Sequence, residues 1–272
     1  MKINIFLSLL FIILLTLSSC RNNDDDVQDN RAGTLQLKFE NGFNNLGQIV
    51  LNQTIQTSSN GQKHNFSTLK YIISNITLTD ENGNEFQYNY NNPDKGAFII
   101  NQAEAKAGIV YIDLSEIPKN NYKKVKFGLG ISPNAYLIGQ EGQGIFWEKA
   151  KQEGMAWSWA AGYIFTKLEG QYGTSVVETS FMNHCGNMGD TTANGTPDLY
   201  REVTLDLPTT ARVGKDIKPS IHILADLNQF LSGKTALKLN DTNNMAMGSS
   251  QHLVDVSNNL INMFKVDHVH ND

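Results

Sequence analysis

The sequence predicts an all-β protein, in which a single β-sandwich-like domain with a few short helices follows a flexible N-terminal tether. Short segments that alternate apolar and polar residues recur along most of the chain, and such closely spaced strands are typical of sandwiches and barrels. Asn and Gly, which favour turns, separate these segments. Charged residues make up only 18% of the 272 residues, which disfavours long surface helices.

The N-terminus has the order of a lipoprotein signal. Ile3 to Leu17 is an almost unbroken apolar run that is too short for a membrane span and suits a signal-peptide core. Two serines and Cys20 follow, and small residues before a Cys resemble the bacterial lipobox, in which the Cys is acylated. We predict a lipoprotein signal peptide over residues 1–19 and lipidation at Cys20. The alternative is an ordinary signal peptide with an incidental Cys.

Residues 20–32 are polar and acidic, with a run from Asp24 to Asp26, and predict a flexible tether because they offer nothing to bury. The run also resembles the acidic export signal of surface lipoproteins in Bacteroidetes, although a plain solvated linker is the alternative. The protein is therefore expected to be an outer-membrane lipoprotein, on the periplasmic or the surface-exposed face.

Residues 33–272 are predicted to form one domain, because no repeat or linker interrupts them. The first strand places Leu35, Leu37 and Phe39 on one face at a period of two. Residues 71–88 predict a hairpin with an Asn82-Gly83 turn. Further strands are predicted at 97–100, 109–114, 124–129, 163–170, 176–181, 203–207 and 220–225.

Helical signals are few. Residues 144–154 predict a short helix, and residues 226–231 predict one or two turns. The best case is 251–264, where Leu253, Val256, Leu260 and Phe264 recur at helical spacing.

Composition excludes several function classes. An isoelectric point of 5.7 and a net charge of -5 argue against nucleic-acid binding, which needs a basic face. Two Cys exclude a disulfide scaffold and a Cys-rich zinc module. The sequence also lacks a phosphate loop and the GxSxG, HExxH and CxxC motifs, so we predict no enzymatic activity.

Six histidines offer the remaining chemistry. His268 and His270 lie two apart, so in a strand they would share a face and could hold one metal ion; a frayed C-terminus is the alternative. His184 and Cys185 are adjacent and would point to opposite faces of a strand, although Met182 is a further soft ligand for a cuprous ion. We interpret Cys185 as a small buried hydrophobe, and a hydrolase with Cys185 as nucleophile is a weaker hypothesis.

The densest motif is the stretch Gly154-Met-Ala-Trp-Ser-Trp-Ala-Ala-Gly-Tyr-Ile-Phe-Thr-Lys-Leu-Glu-Gly170. It resembles the G-M-x-W-x-W-x-x-G-Y-x-F-x-K-L-E-G hallmark of the MbnP-like family, which includes copper-associated proteins of methanotrophs and many Bacteroidetes lipoproteins. Three flanking segments also resemble the family in order: residues 69–78 its L-x-Y-x-I-S-N-I-x-L strand, 181–186 its F-x-x-H-x-G, and 259–269 its closing N-x-x-x-M-F-x-V-x-H-V.

This resemblance implies a β-sandwich-like fold that binds copper through His. In characterised relatives one Trp is oxidised to kynurenine by a partner dihaem enzyme of the cytochrome c peroxidase type, and the modified residue joins the site. His184 matches the F-x-x-H-x-G position, and Trp157 and Trp159 match the hallmark.

Two departures from the family bear on this expectation. Copper-binding relatives tend to have His in the first strand, where this chain has Glu40 and Asn41, and some have His beside the paired Trp, where it has Ala156 and Ser158. His268 lies near the family's terminal His and is a substitute ligand. Two hypotheses follow: a copper-binding or copper-handling lipoprotein with metal residues His184, His268, Trp159 and Trp157, or a metal-free surface interaction or scaffold lipoprotein of the same fold.

Overall fold

The computed structural model describes residues 32–44, 47–138, 141–187 and 196–272. The predicted all-β, sandwich-like fold is confirmed. Cys20, the signal peptide and the acidic tether lie outside the described residues. None of the described helices is both long enough and apolar enough to span a membrane.

Two mixed sheets contain the strands. The four-stranded sheet has the order β13-β11-β1-β6, and β1 pairs in parallel with β11. Its strands are β1 (Gly33–Gly42), β6 (Ile109–Ile117), β11 (Pro219–Asp226) and β13 (Phe264–Asn271).

The nine-stranded sheet has the order β10-β7-β3-β8-β9-β12, and three short strands pair with its long strand β3. Its path strands are β3 (Lys63–Asp80), β7 (Asn120–Leu129), β8 (Ile164–Gly173), β9 (Thr179–Gly186), β10 (Arg201–Val213) and β12 (Met245–Gly248). The three short strands are β2 (Gln56–Thr57), β4 (Glu85–Gln87) and β5 (Phe98–Asn101).

Aromatic side chains from both sheets meet in the core. Phe39 of β1 and Phe264 of β13 face Tyr71 of β3 and Phe127 of β7, and all four side chains are buried. The Phe127 and Phe264 ring centroids lie 5.1 Å apart, and those of Phe39 and Phe127 5.8 Å apart, both edge to face. This is the favourable geometry for ring quadrupoles, so these contacts stabilise the two sheets against each other.

The start of β8 is irregular and covered on both faces. The pairing of β8 with β9 shifts register between Ile164 and Thr166. Tyr163, Phe165 and Leu168 are buried, and so are Ile164 and Thr166 between them. Because successive residues of a strand point to opposite faces, both faces of the sheet are covered here.

The helices are short: α1 (Pro93–Gly96), α2 (Pro133–Tyr136), α3 (Gly144–Gln152), α4 (Gln229–Ser232) and α5 (Gln251–Leu260). Single turns of 3-10 helix lie at Gln102–Glu104, Glu141–Gln143 and Ile261–Met263. The prediction of one helix from 251 to 264 was too long, because Phe264 belongs to the sandwich core and begins β13. A frayed C-terminus is also wrong, since β13 pairs with β11 as far as Asn271.

Candidate functional site

The hallmark segment forms a closed loop between α3 and β8. The amide of Met155 donates to the carbonyl of Ala150 at 2.7 Å, and the amide of Ile164 donates to the carbonyl of Met155 at 2.8 Å. Within the loop, the amide of Trp157 donates to the carbonyl of Gly162 at 3.1 Å. These bonds fix the backbone around both tryptophans.

Asn187, which directly follows β9, anchors this loop. Its carbonyl accepts a hydrogen bond from Trp157 Nε1, and its side-chain Oδ1 accepts one from the amide of Tyr163 at 3.1 Å. Position 162 must be Gly, because a Cβ there would lie 2.0 Å from the Asn187 carbonyl oxygen. The Gly of the hallmark therefore reflects a close backbone approach.

The two tryptophans differ in burial. Trp157 is 5% exposed, whereas Trp159 is 60% exposed, and their ring centroids lie 5.5 Å apart. Trp157 also lies 6.3 Å from the His184 ring, centroid to centroid. Trp157 is thus a packed, hydrogen-bonded residue beside His184, and Trp159 presents most of its indole to solvent. A surface cavity of about 550 Å³ lies at Trp147, Trp157 and Trp159.

His184 is held by a carboxylate. Its Nε2 lies 2.7 Å from Oε1 of Glu169, and the other oxygen of that carboxylate accepts a hydrogen bond from Thr68 at 2.8 Å. Burial lowers the pKa of His184, although Glu169 opposes this shift. Burial raises the pKa of Glu169, but the hydrogen bonds from Thr68 and His184 outweigh it, so the net shift is downward.

These shifts describe a neutral imidazole beside an ionised carboxylate. Because Nε2 faces an acceptor, it carries the ring proton, which leaves the lone pair of Nδ1 for a ligand. Metal-binding histidines are commonly oriented in this way by a carboxylate on the other ring nitrogen. We call Trp157, Trp159, Glu169 and His184 the Trp–His184 site.

Three methionines lie on the same sheet face as His184. Met182 lies two residues before it in β9, and β12 places Met245 opposite Met182 and Met247 opposite His184. Since residues two apart share a face and directly paired residues do too, all four side chains line one surface. Met245 and Met247 are 56% and 49% exposed, so their thioethers are accessible.

Sequence reasoning missed Met245 and Met247. The Met-Ala-Met alternation was the available signal, but a four-residue strand that pairs in parallel with a distant strand leaves no local trace.

Cys185 points away from this face. It is 1% exposed, and its Sγ approaches the carbonyl of Leu253 in α5 at 3.8 Å. Burial raises the pKa of its thiol to about 11, so the reactive thiolate is suppressed. The interpretation of Cys185 as a small buried hydrophobe is confirmed, and nothing here favours it as a nucleophile.

His268 lies elsewhere. It belongs to β13 in the four-stranded sheet, whereas His184 belongs to β9 in the nine-stranded sheet. Among the described residues its near neighbours are His222, Asp267 and His270, and its ring centroid lies 4.5 Å from that of His270. The structure therefore brings Trp157, Trp159 and His184 together and puts His268 in a separate cluster.

Comparisons with known proteins agree with the hallmark. The profile of the MbnP family matches residues 32–249. Among solved structures, the chain is similar to MbnP from Methylosinus trichosporium, with 13% identity, coverage of 78% of this chain and 83% of that chain, and a TM-score of 0.49. No curated protein matches the chain. Because the family profile covers β1 to β12, including the Trp–His184 site, the chain belongs to the MbnP family.

Proposed function

We propose that this protein is an exported lipoprotein that binds copper through His184 of the Trp–His184 site and through the thioethers of Met182, Met245 and Met247 beside it. The observation that carries the proposal is the shared sheet face of His184 with Met182, Met245 and Met247. Imidazole and thioether are ligands that suit a cuprous ion, and two of the thioethers are exposed. This set of donor atoms therefore suits copper even though the chain has Ala156 and Ser158 where some relatives have histidine.

Each member of the site has a separate part. The Nδ1 of His184 and the thioethers would hold the ion, and Glu169 orients the imidazole through Nε2. Trp157 closes the site on the loop side through its ring contact with His184. Bound copper would supply a soft, redox-active centre, and the chain's own residues act to hold and shield it.

Copper loading of the mature chain tests this proposal. We expect His184→Ala to lower the affinity for Cu(I) at least tenfold, and the double change Met245→Leu and Met247→Leu to lower it further. His252→Ala is the matched control, because this half-buried histidine bonds Asn183, which faces the opposite side of β9, at 2.6 Å. Undiminished Cu(I) binding in His184→Ala would defeat the proposal.

We further propose that a dihaem enzyme of the cytochrome c peroxidase type oxidises one of the paired tryptophans to kynurenine. Trp159 offers an exposed indole to a partner, and its ring contact with Trp157, at 5.5 Å between centroids, gives a short route for electron transfer. In this reaction the C2–C3 double bond of the indole breaks and each of its two carbons gains one oxygen atom, while two molecules of hydrogen peroxide are reduced to water. Hydrolysis of the resulting N-formyl group with one water molecule then releases C2 as formate. A ketone and an aromatic amine remain on the residue.

Peptide mass spectrometry of protein from its native host tests the oxidation. The modified peptide would have exchanged one carbon atom for one oxygen atom within residues 155–167. An unchanged mass in copper-replete cells that contain the partner leaves only the structural role for both rings.

The lipid anchor is a separate part of the proposal. Cys20 would be acylated and would hold the protein at the outer membrane, on its periplasmic or surface-exposed side. Cys20→Ala should release the chain from the membrane fraction, and retention of that variant would refute the anchor.

A metal-free interaction protein is the second candidate function. The 60% exposure of Trp159 favours it, because a large exposed indole beside a cavity is typical of protein interfaces. Absence of copper from native and copper-loaded protein would favour this function over the first.

A further inference from the structure

A second group of potential ligands lies on the outer face of the four-stranded sheet. Along β11, Ile221, Ile223 and Ala225 point into the core, so His222 between them points outward. On one side of β11 lies β1, with Glu40 on the same outer face, and on the other lies β13, where His268 pairs directly with His222. We call Glu40, His222, Asp267 and His268 the His222 cluster.

A β-bulge adds Asp267 to this face. His222 pairs with His268 and Ile223 pairs with Val266, so Asp267 is the extra residue of β13. A bulge changes the direction of the side chain at the extra position, which lets neighbours in the sequence approach one point. Oδ2 of Asp267 accordingly lies 2.6 Å from Nδ1 of His268 and 3.8 Å from Nδ1 of His222.

These three residues are close enough for one ion. One ligand atom each from His222, Asp267 and His268 lies within 4.8 Å of the others. Metal–nitrogen and metal–oxygen bonds of about 2.0–2.2 Å require ligand atoms to be within about 4 Å of each other, so only small side-chain movements are needed. The His222 and His268 rings are already nearly perpendicular, with centroids 4.9 Å apart.

Glu40 faces the other nitrogen of His222. Its Oε2 lies 3.0 Å from Nε2, although their approach is outside hydrogen-bond angles, and Nε2 is buried without a hydrogen-bond partner among the described residues. A small rotation of either side chain would turn this contact into a hydrogen bond, by which a carboxylate orients a metal-binding histidine, and Nδ1 would be left for the ion.

The cluster is also accessible. His268 and Asp267 side chains are 43% and 49% exposed. A surface cavity of about 370 Å³ adjoins Asp267 and is also lined by Glu40 and Asp226. An ion could enter from this side, and water could fill a fourth position, as in open sites with three protein ligands.

We propose that His222, His268 and Asp267 form a three-ligand site for a divalent transition-metal ion, with Glu40 as the orienting carboxylate. Two imidazoles and a carboxylate are ligands that suit Zn²⁺ and Cu²⁺. The site has no thiolate, which softer metal ions prefer, and it has too few oxygen ligands for Ca²⁺. This site is independent of copper binding at the Trp–His184 site, which lies on the other sheet.

Titration of the mature chain with Zn²⁺ alone tests the site, with Cu²⁺ as a second probe and Ca²⁺ as a negative control. We expect His268→Ala and Asp267→Asn each to weaken Zn²⁺ binding at least tenfold, with unchanged circular dichroism and thermal unfolding. Glu40→Gln should weaken binding by about tenfold.

Two control variants locate the effect. His270→Ala removes the neighbouring histidine of the same strand face, and His184→Ala removes the imidazole of the other sheet; both should bind Zn²⁺ like the wild type. The proposal is overturned if the wild type binds no Zn²⁺, if His268→Ala and Asp267→Asn bind it undiminished, or if His270→Ala or His184→Ala loses binding to the same degree. Failure of Cu(I) binding in His184→Ala alone concerns the other site.

Discussion

The Trp–His184 site and the His222 cluster differ in how they depend on the core. The first is formed by a closed loop, a buried indole bonded to a backbone carbonyl and a histidine that is almost wholly buried. The second stands on the solvent face of a sheet, and two of its four side chains are more than 40% exposed. The Trp–His184 site therefore contributes to the stability of the fold, whereas the side chains of the His222 cluster are positioned by the fold and contribute little to its stability.

The difference in burial between the two regions affects what each residue contributes to stability. Removing a buried ring or a buried hydrogen bond costs stability whether or not a ligand binds. Removing an exposed side chain costs little, so the effect of such a change must come from the ligand.

The largest effect is expected at Phe165, a core residue of the strand that follows the tryptophan loop. Phe165 is 1% exposed, and its ring lies so close to Gly130 that a Cβ there would be 2.5 Å away. Phe165→Ala should lower the free energy of unfolding by about 3–5 kcal/mol, measured by urea denaturation. Ile145→Ala is the control, because Ile145 is 74% exposed and should change this free energy by less than about 0.5 kcal/mol. A loss below about 1 kcal/mol for Phe165→Ala would mean that this ring is not core.

His64 lies outside both regions, so it shows the effect of burial on a histidine without any contribution from metal binding. His64 is buried in an aromatic cluster, and burial lowers its pKa from 6.5 to about 4. Between these two pH values the unfolded chain binds a proton that the folded chain does not, so stability falls as the pH falls. The loss from this one group is about 3 kcal/mol by pH 4.

His64→Leu should remove this part of the acid sensitivity. Urea denaturation at pH 7 and pH 4, with the metal chelated, gives the measurement. An equal loss of stability on acidification in wild type and His64→Leu would contradict the assignment to His64.

The two tryptophans compare a buried with an exposed side chain within the Trp–His184 site. Trp157→Phe removes the donor to the Asn187 carbonyl and should cost about 1–3 kcal/mol, because a buried acceptor is left without a partner. Trp159→Phe keeps an aromatic ring at an exposed position and should cost less than about 0.5 kcal/mol. Thermal unfolding of both variants measures this, and equal losses would show that the loop holds both indoles alike.

The smallest effect is expected at the His222 cluster without metal. His268→Ala should change the free energy of unfolding by less than about 0.5 kcal/mol when chelator is present, since the side chain is 43% exposed. With Zn²⁺ in excess, wild type should gain thermal stability and His268→Ala should not. A large loss in chelator would place His268 among the structural residues and remove the contrast between the regions.

Local sequence patterns predicted much of the secondary structure of this protein. Alternation in β1 predicted which residues face the core, and the Asn82-Gly83 turn predicted the hairpin that joins β3 and β4. The resemblance to the family implied that Trp157, Trp159 and His184 belong to one region, and in the structure Asn187, three residues after His184, joins β9 to the loop of both tryptophans. The spacing of hydrophobic residues and the residue types of a turn each involve only a few neighbouring positions, so both can be recognised directly in a sequence.

Tertiary structure alone decided the rest. His222 meets His268 because two strands pair across the four-stranded sheet, and Asp267 joins them through a bulge of one residue. Met245 and Met247 join the face of His184 because β12 pairs in parallel with β9. Strand register and β-bulges depend on which strands pair in the folded protein. The pairing is selected by the free energy of burying whole sheet faces. No short segment of the sequence contains that information.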